Sequence, residues 1–229
     1  MVAFPVCHWG GRFIDTGLNR RAERLTGLSG VSNGKAGTLA MFAKLRDFNQ
    51  ILHIRNAEGF LLTTVVVDDT GFGRFMMRDS AGGRVIDIAV GSHGAAANKW
   101  AWYGWSWDAG ASRAAAYLND TDIQGPGTYF DPAKDIEYSA PGIGFYAALS
   151  GGNNSRGCYA YVFFSTTIEY DFNVESNRRL FLNSDGSPVT TFPAGGIVQS
   201  ETGDLSKNEG TGGNFDLPKG PFLRCVDQP

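Results

Sequence analysis

Glu169, Asp171 and Glu175 are the residues whose types and spacing could support acid–base chemistry. Side chains two apart on a strand share a face, so Glu169 and Asp171 would point the same way. Hydrolysis of a glycosidic bond with retention needs two such carboxyls about 5–5.5 Å apart. The third, Glu175, follows Asp171 by four residues, and Asn177-Arg178-Arg179 reads as a chain that has already turned by then. The better reading is a strand end followed by a capped turn, with Asp171 accepting backbone N–H bonds. Arg178 and Arg179 are the expected partners of these carboxylates, at little net stability where exposed. No catalytic residue is assigned.

Other chemistries find less support. Asp68, Asp69, Asp120, Asp122 and Asp131 fall in expected loops, and calcium accepts such oxygens. No spacing selects a ligand set, so they read as solvated turn residues, and no metal or cofactor is assigned. Cys7, Cys158 and Cys225 lie far apart, as do His8, His53 and His93, and only Cys7-His8 are adjacent. A zinc site uses closer ligand spacings. The cysteines read as buried, inert thiols, with a Cys7–Cys225 bridge left open. No Gly-x-Ser-x-Gly elbow, phosphate loop or dinucleotide-binding glycine motif is present.

Four of five tryptophans fall in Trp100-Ala-Trp-Tyr-Gly-Trp-Ser-Trp-Asp108. Trp100 and Trp102 would share one strand face, and Tyr103, Trp105 and Trp107 the other. A strand apolar on both faces reads first as a central strand covered on both sides. An aromatic platform for sugar rings is the rival reading. Gly71-Phe-Gly-Arg-Phe-Met-Met77 is either a contact surface or a buried strand after a turn. Gly151-Gly-Asn-Asn-Ser155 reads as a loop tip of the kind that binds ligands. No binding residue is singled out.

These residues must be held by a β-rich frame. The chain has 229 residues, of which 31 are Gly, with 42% hydrophobic residues and a net charge of −3. It can therefore bury a core, and its dispersed acidic balance gives no footprint for nucleic acid. No basic region leads into an apolar run at the N-terminus, and no apolar stretch is long enough to span a membrane. Cytoplasmic synthesis without a signal peptide is the expectation. Short β-branched and aromatic segments recur between Gly, Asn, Asp and Ser turns: Thr38–Arg46, Ile51–Arg55, Phe60–Val67, Gly73–Arg78, Arg84–Val90, Trp100–Trp107, Arg113–Leu118, Gly142–Ala148 and Cys158–Thr166. In Arg84–Val90 the alternation sets Asp87 opposite a buried face. This predicts an all-β, antiparallel sandwich or barrel over residues 1–183, with 1–24 as an N-terminal arm. After Ser184, Gly, Pro, Thr and Asn thicken, so 184–229 is expected as an extended, loop-rich tail packed on the sandwich.

The Trp-rich strand, its Gly turn and Ala116-Tyr-Leu-Asn-Asp120 resemble the central hairpin of laminin-G-like domains, within the concanavalin-A-like lectin superfamily. Leu25-Thr-Gly-Leu-Ser-Gly-Val-Ser-Asn-Gly-Lys35 with Thr38–Lys44 resembles the opening of such proteins from tailed phages and prophages. Tyr170–Phe181, Asp185-Gly-Ser-Pro188 and Thr211–Phe215 are similar to that group's C-terminal signature. The resemblance implies a two-sheet jelly roll and a non-enzymatic phage virion protein, first of all a capsid decoration protein. Its implied partners are virion proteins such as the major capsid protein, with homo-oligomers, and its implied location is the virion. Two rivals stand beside this: a carbohydrate-binding adhesin or tail-fibre module for host surface glycans, and, less favoured, a glycoside hydrolase.

Overall fold

The structure, a computed structural model, describes residues 14–15, 22–46, 49–56, 61–67, 73–91, 99–145, 156–200, 204–216 and 223–224. In chain order the strands are β1 (Ile14–Asp15), β2 (Ala22–Arg24), β3 (Ala36–Arg46), β4 (Asn49–Arg55), β5 (Leu61–Val67), β6 (Gly73–Arg78), β7 (Arg84–Val90), β8 (Trp100–Asp108), β9 (Arg113–Leu118), β10 (Thr121–Asp122), β11 (Tyr129–Phe130), β12 (Gly142–Phe145), β13 (Arg156–Ser165), β14 (Val198–Ser200) and β15 (Leu223–Arg224). One short helix, α1, covers Glu175–Arg178. All nine segments expected as strands are strands, most within two residues at each end; the last residues of the Gly142–Ala148 segment lie outside the described ones. Their alternation and their glycine or asparagine turns carried enough information to place them.

An eight-stranded sheet is ordered β10-β9-β8-β3-β13-β1-β15, with β14 also on β13, and a seven-stranded sheet runs β11-β7-β6-β5-β4-β12-β2. All the pairings are antiparallel. The sheets face each other across a core that includes Leu39, Met41, Trp105, Trp107 and Phe164 on one side and Phe75, Ile86, Ile88 and Phe145 on the other. A second apolar cluster lies on the outer face of the eight-stranded sheet. There Phe42, Trp100, Trp102, Tyr161 and Phe163 are covered by Phe172, Phe181, Leu182 and Phe192. A bulge shifts the β13 register between Tyr159 and Tyr161, so Tyr159 enters the inner core and Tyr161 the outer cluster.

Among the described residues, short strands from near both ends of the chain join the sheets. Within residues 1–24, β1 pairs with β13 in one sheet and β2 pairs with β12 in the other. The outer covering layer starts directly after β13, ahead of Ser184, and β14 and β15 add hydrogen-bonded strands from within 184–229. Backbone pairing explains both: each short strand satisfies N–H and C=O groups along an otherwise open sheet edge.

Candidate functional site

The structure separates the acidic residues after β13 into two ion-pair sets. Arg113 on β9 donates from Nε to Glu169 Oε1 at 2.9 Å, and its Nη2 donates to Oε2. Its Nε also lies 3.3 Å from Asp171 Oδ2. Both Glu169 oxygens are thus engaged by one guanidinium, and that bond raises the Arg113 pKa. Asp171 Oδ1 accepts from the Asn173 N–H at 3.0 Å, which is the expected turn cap. Glu175 sits instead on Arg179 at 2.8 Å, so the three carboxylates do not share one partner set. The expected pairing of Arg178 and Arg179 with Glu169 and Asp171 is corrected: both reach Asp120, at 3.2 and 2.9 Å. Arg178 also lies over the Tyr117 ring at 4.5 Å, which fixes it on the outer face of β9.

The remaining candidates are mostly committed to structure. Trp102, Trp105 and Trp107 are fully buried and Trp100 nearly so, which removes the exposed sugar platform and supports the two-sided central strand. Of Gly71–Met77, the described part from Gly73 is a core strand, with Phe75 and Met77 fully buried. Asp122 Oδ1 accepts from the Gln124 N–H, and Asp131 Oδ1 from the Ala133 N–H. Among the described residues no three His, Cys, Asp or Glu side chains are disposed to hold a metal. Cys7, His8, Asp68, Asp69, His93 and Gly151–Ser155 lie outside the described residues. Cys158 is disulfide-bonded, which corrects the reading of three inert thiols.

A further ion-paired surface lies on the outer face of the seven-stranded sheet. Phe75 and Ile88 point into the core, so alternation sends Arg74 and Asp87 outward on adjacent strands. Arg74 grips Asp87 with two bonds, Nε to Oδ1 at 2.8 Å and Nη2 to Oδ2 at 2.5 Å. Arg84 Nη1 donates to the same Oδ2 at 3.0 Å, and its guanidinium lies 5.3 Å from the Tyr129 ring centroid. Asp87 also stands opposite Tyr129 in the β11–β7 pairing. The Asp87 side chain is only 10% exposed, whereas those of Arg74 and Arg84 are 52% and 50% exposed. Tyr129 is among the few exposed large hydrophobic residues, at 42%.

This geometry spends one buried carboxylate to hold two guanidiniums whose remaining N–H donors face water. The cluster carries a net charge of +1 and presents a planar donor set suited to an oxyanion. Burial acts to raise the Asp87 pKa, but hydrogen bonds from Arg74 and Arg84 outweigh it and hold the carboxyl below its ordinary value. With a folded value below the unfolded one, this stabilisation is complete above the unfolded value and is lost as pH falls through the folded one. Urea unfolding of the wild type and Asp87→Asn should therefore differ at pH 7 and converge only below about pH 4. A difference that vanished between pH 7 and 5 would contradict this. The sequence had marked Asp87 as facing away from the core. It could not supply Arg74 and Tyr129, because the β6–β7 register and the short β11 set those contacts.

No protein-family model matches the chain, and no curated protein does. Solved structures do. A protein of Bacteroides ovatus ATCC 8483 provisionally described as carbohydrate-binding has a TM-score of 0.57 at 13% identity, covering 93% of this chain. The chain spans 57% of that protein's length. The carbohydrate-binding module (CBM40) of a Ruminococcus gnavus IT-sialidase, bound to α2,3-sialyllactose, has a TM-score of 0.51 at 12% identity, covering 72% of this chain and 95% of the module. The NanB sialidase of Streptococcus pneumoniae has a TM-score of 0.53 at 15% identity, covering 73% of this chain and 27% of the enzyme. At such identities the likeness establishes the fold: this chain is a two-sheet antiparallel jelly roll.

Proposed function

We propose that this chain is a non-enzymatic carbohydrate-binding module, and that it takes an acidic saccharide at Arg74, Arg84 and Tyr129. The observation that carries the reading is the pair of half-exposed guanidiniums anchored on buried Asp87 beside an exposed aromatic ring. A sugar carboxylate supplies the oxygens such donors match, and the Tyr129 ring offers a face for sugar C–H groups. A neighbour of the same fold holds a sialylated ligand, which supports the choice of ligand class. The ion pairs to the buried Asp87 carboxylate keep the donors in place before the ligand arrives, so little ordering entropy is spent on binding.

Titration calorimetry with α2,3-sialyllactose tests this. The expected result is binding that weakens about tenfold or more in Arg84→Ala and in Arg74→Ala, a loss of at least about 1.4 kcal/mol. Unchanged affinity in both variants, or no binding by the wild type of sialyllactose or glucuronic-acid oligosaccharides, would overturn the assignment.

The order of motifs shared with phage-encoded laminin-G-like proteins supports a place for this module on a virion. There it would decorate the capsid or a tail part, contact virion proteins such as the major capsid protein, and present the saccharide site outward. A disulfide at Cys158 fits completion outside a reducing cytoplasm, after release from the host. Mass spectrometry of purified particles decides this placement, and absence of the chain from them would refute it.

A further inference from the structure

We infer that the chain holds a second ligand site, for a neutral pyranose, in the groove between the loop before β14 and the loop around Gly210. The groove has a volume of about 440 Å³ and is lined by Phe192, Gln199, Glu209, Thr167 and Thr211, together with Gly195, Gly196 and Gly210. That size falls within the range of small-molecule pockets. It shares no residue with the Arg74–Arg84 surface, so it goes beyond the acidic-sugar reading.

The residues have the chemistry of a sugar site. Phe192 is braced by Tyr161, with ring centroids 4.4 Å apart, and also lines the groove. An aromatic face of this kind stacks on the C–H patch of a pyranose. Gln199 Nε2 donates to the Pro193 carbonyl at 3.3 Å, which orients the side-chain amide. Its Oε1 accepts nothing from a described residue, and neither do the Thr167 and Thr211 hydroxyls donate to one, so each can meet a sugar hydroxyl. Among the described residues the lining has no cationic side chain to hold an anion. Sugar hydroxyls suit the Gln199 amide and the threonine hydroxyls.

The groove is also built before the ligand arrives. Asn208 is the positioning residue: its Oδ1 accepts from the Gln199 and Gly210 N–H groups at 2.8 and 3.0 Å. Its Nδ2 donates to the Ile197 and Gly213 carbonyls, both at 3.0 Å. One side chain thus locks the two walls together with four bonds. At Gly210 a Cβ would stand 2.4 Å from the Ile197 carbonyl oxygen, so only glycine lets the two backbones approach this closely.

The test is an NMR titration of the isotopically labelled full chain with four neutral disaccharides: lactose, cellobiose, maltose and chitobiose. At least one should shift the amide signals of Gly195, Gly196, Gly210 and Thr211. Affinity should fall about tenfold or more in Phe192→Ala and Gln199→Ala and stay unchanged in Arg74→Gln/Arg84→Gln. Because Phe192 also packs on Tyr161, Gln199→Ala decides the matter should Phe192→Ala fail to fold. No localised shift with any of the four sugars, or shifts unaffected by Gln199→Ala, would overturn the groove. Either result leaves the acidic-sugar site to stand or fall on its own arginine variants.

Discussion

Trp107→Ala is expected to cost about 3–5 kcal/mol of folding stability, the range for removing a fully buried aromatic side chain. Trp107 is completely buried at the centre of the inter-sheet core. Its ring lies 4.8 Å from Phe75 of the opposite sheet and 6.4 Å from Phe164 of its own. Neither neighbour is free to collapse into the space, because each belongs to a paired strand. The indole also donates from Nε1 to the Tyr138 hydroxyl at 2.6 Å. That hydroxyl itself donates to the Ala36 carbonyl at 3.1 Å, so the alanine variant leaves a buried oxygen without its donor. Trp107→Phe keeps most of the apolar volume and should lose about 1–2 kcal/mol, mainly through that bond. Against a total of about 5–15 kcal/mol, the alanine variant should be close to unfolding. Urea denaturation followed by far-ultraviolet circular dichroism measures both, and an alanine loss below about 1 kcal/mol would refute the packing described.

Gly37→Ala should be nearly as damaging although it adds only one methyl group. A Cβ on Gly37 would lie 2.4 Å from Trp107 Cζ2 and 2.6 Å from the Ser165 carbonyl oxygen. Gly37 is on β3, which is paired with β8 on one side and β13 on the other, so the clash has no outlet along the sheet. Overpacking of this kind costs about 1–3 kcal/mol and more where backbone must move. Gly30→Ala is the informative control: nothing lies within 4 Å of its Cβ, and only its φ of +70° resists substitution. That variant should lose only about 1 kcal/mol, through backbone strain alone. Combining Gly37→Ala with Trp107→Phe relieves one of the two contacts, so the double variant should be more stable than the sum of the single losses implies. Additive losses would show that the indole is not what excludes a side chain at position 37.

The parts of the fold that local chemistry controls were legible. Arg84–Val90 alternates strictly enough to place its strand and to turn Asp87 away from the core, and Trp100–Asp108 showed two apolar faces before any partner was known. The cap at Asp171 was legible for the same reason, since a short acid beside a turn bonds to the next amides. Partner choice was not. Arg113 takes Glu169 from 56 residues away, while the nearby Arg178 and Arg179 turn to Asp120. The two short strands within residues 1–24 also carried no signal, because two or three residues show no period.

For the candidate sites the division is sharper. The sequence marked 184–229 as loop-rich and Asp87 as facing away from the core. What they do depended on long-range register. Asp87 becomes an anchor only because β6 brings Arg74 beside it and β11 sets Tyr129 opposite. Phe192 and Gln199 become a groove only because Asn208 ties their loop to the one around Gly210. Local sequence determines propensity, period and turn through interactions within a few residues. Sites assembled across sheets and loops depend on contacts whose loop-closure entropy is repaid only by the whole core, so they emerge with the tertiary structure.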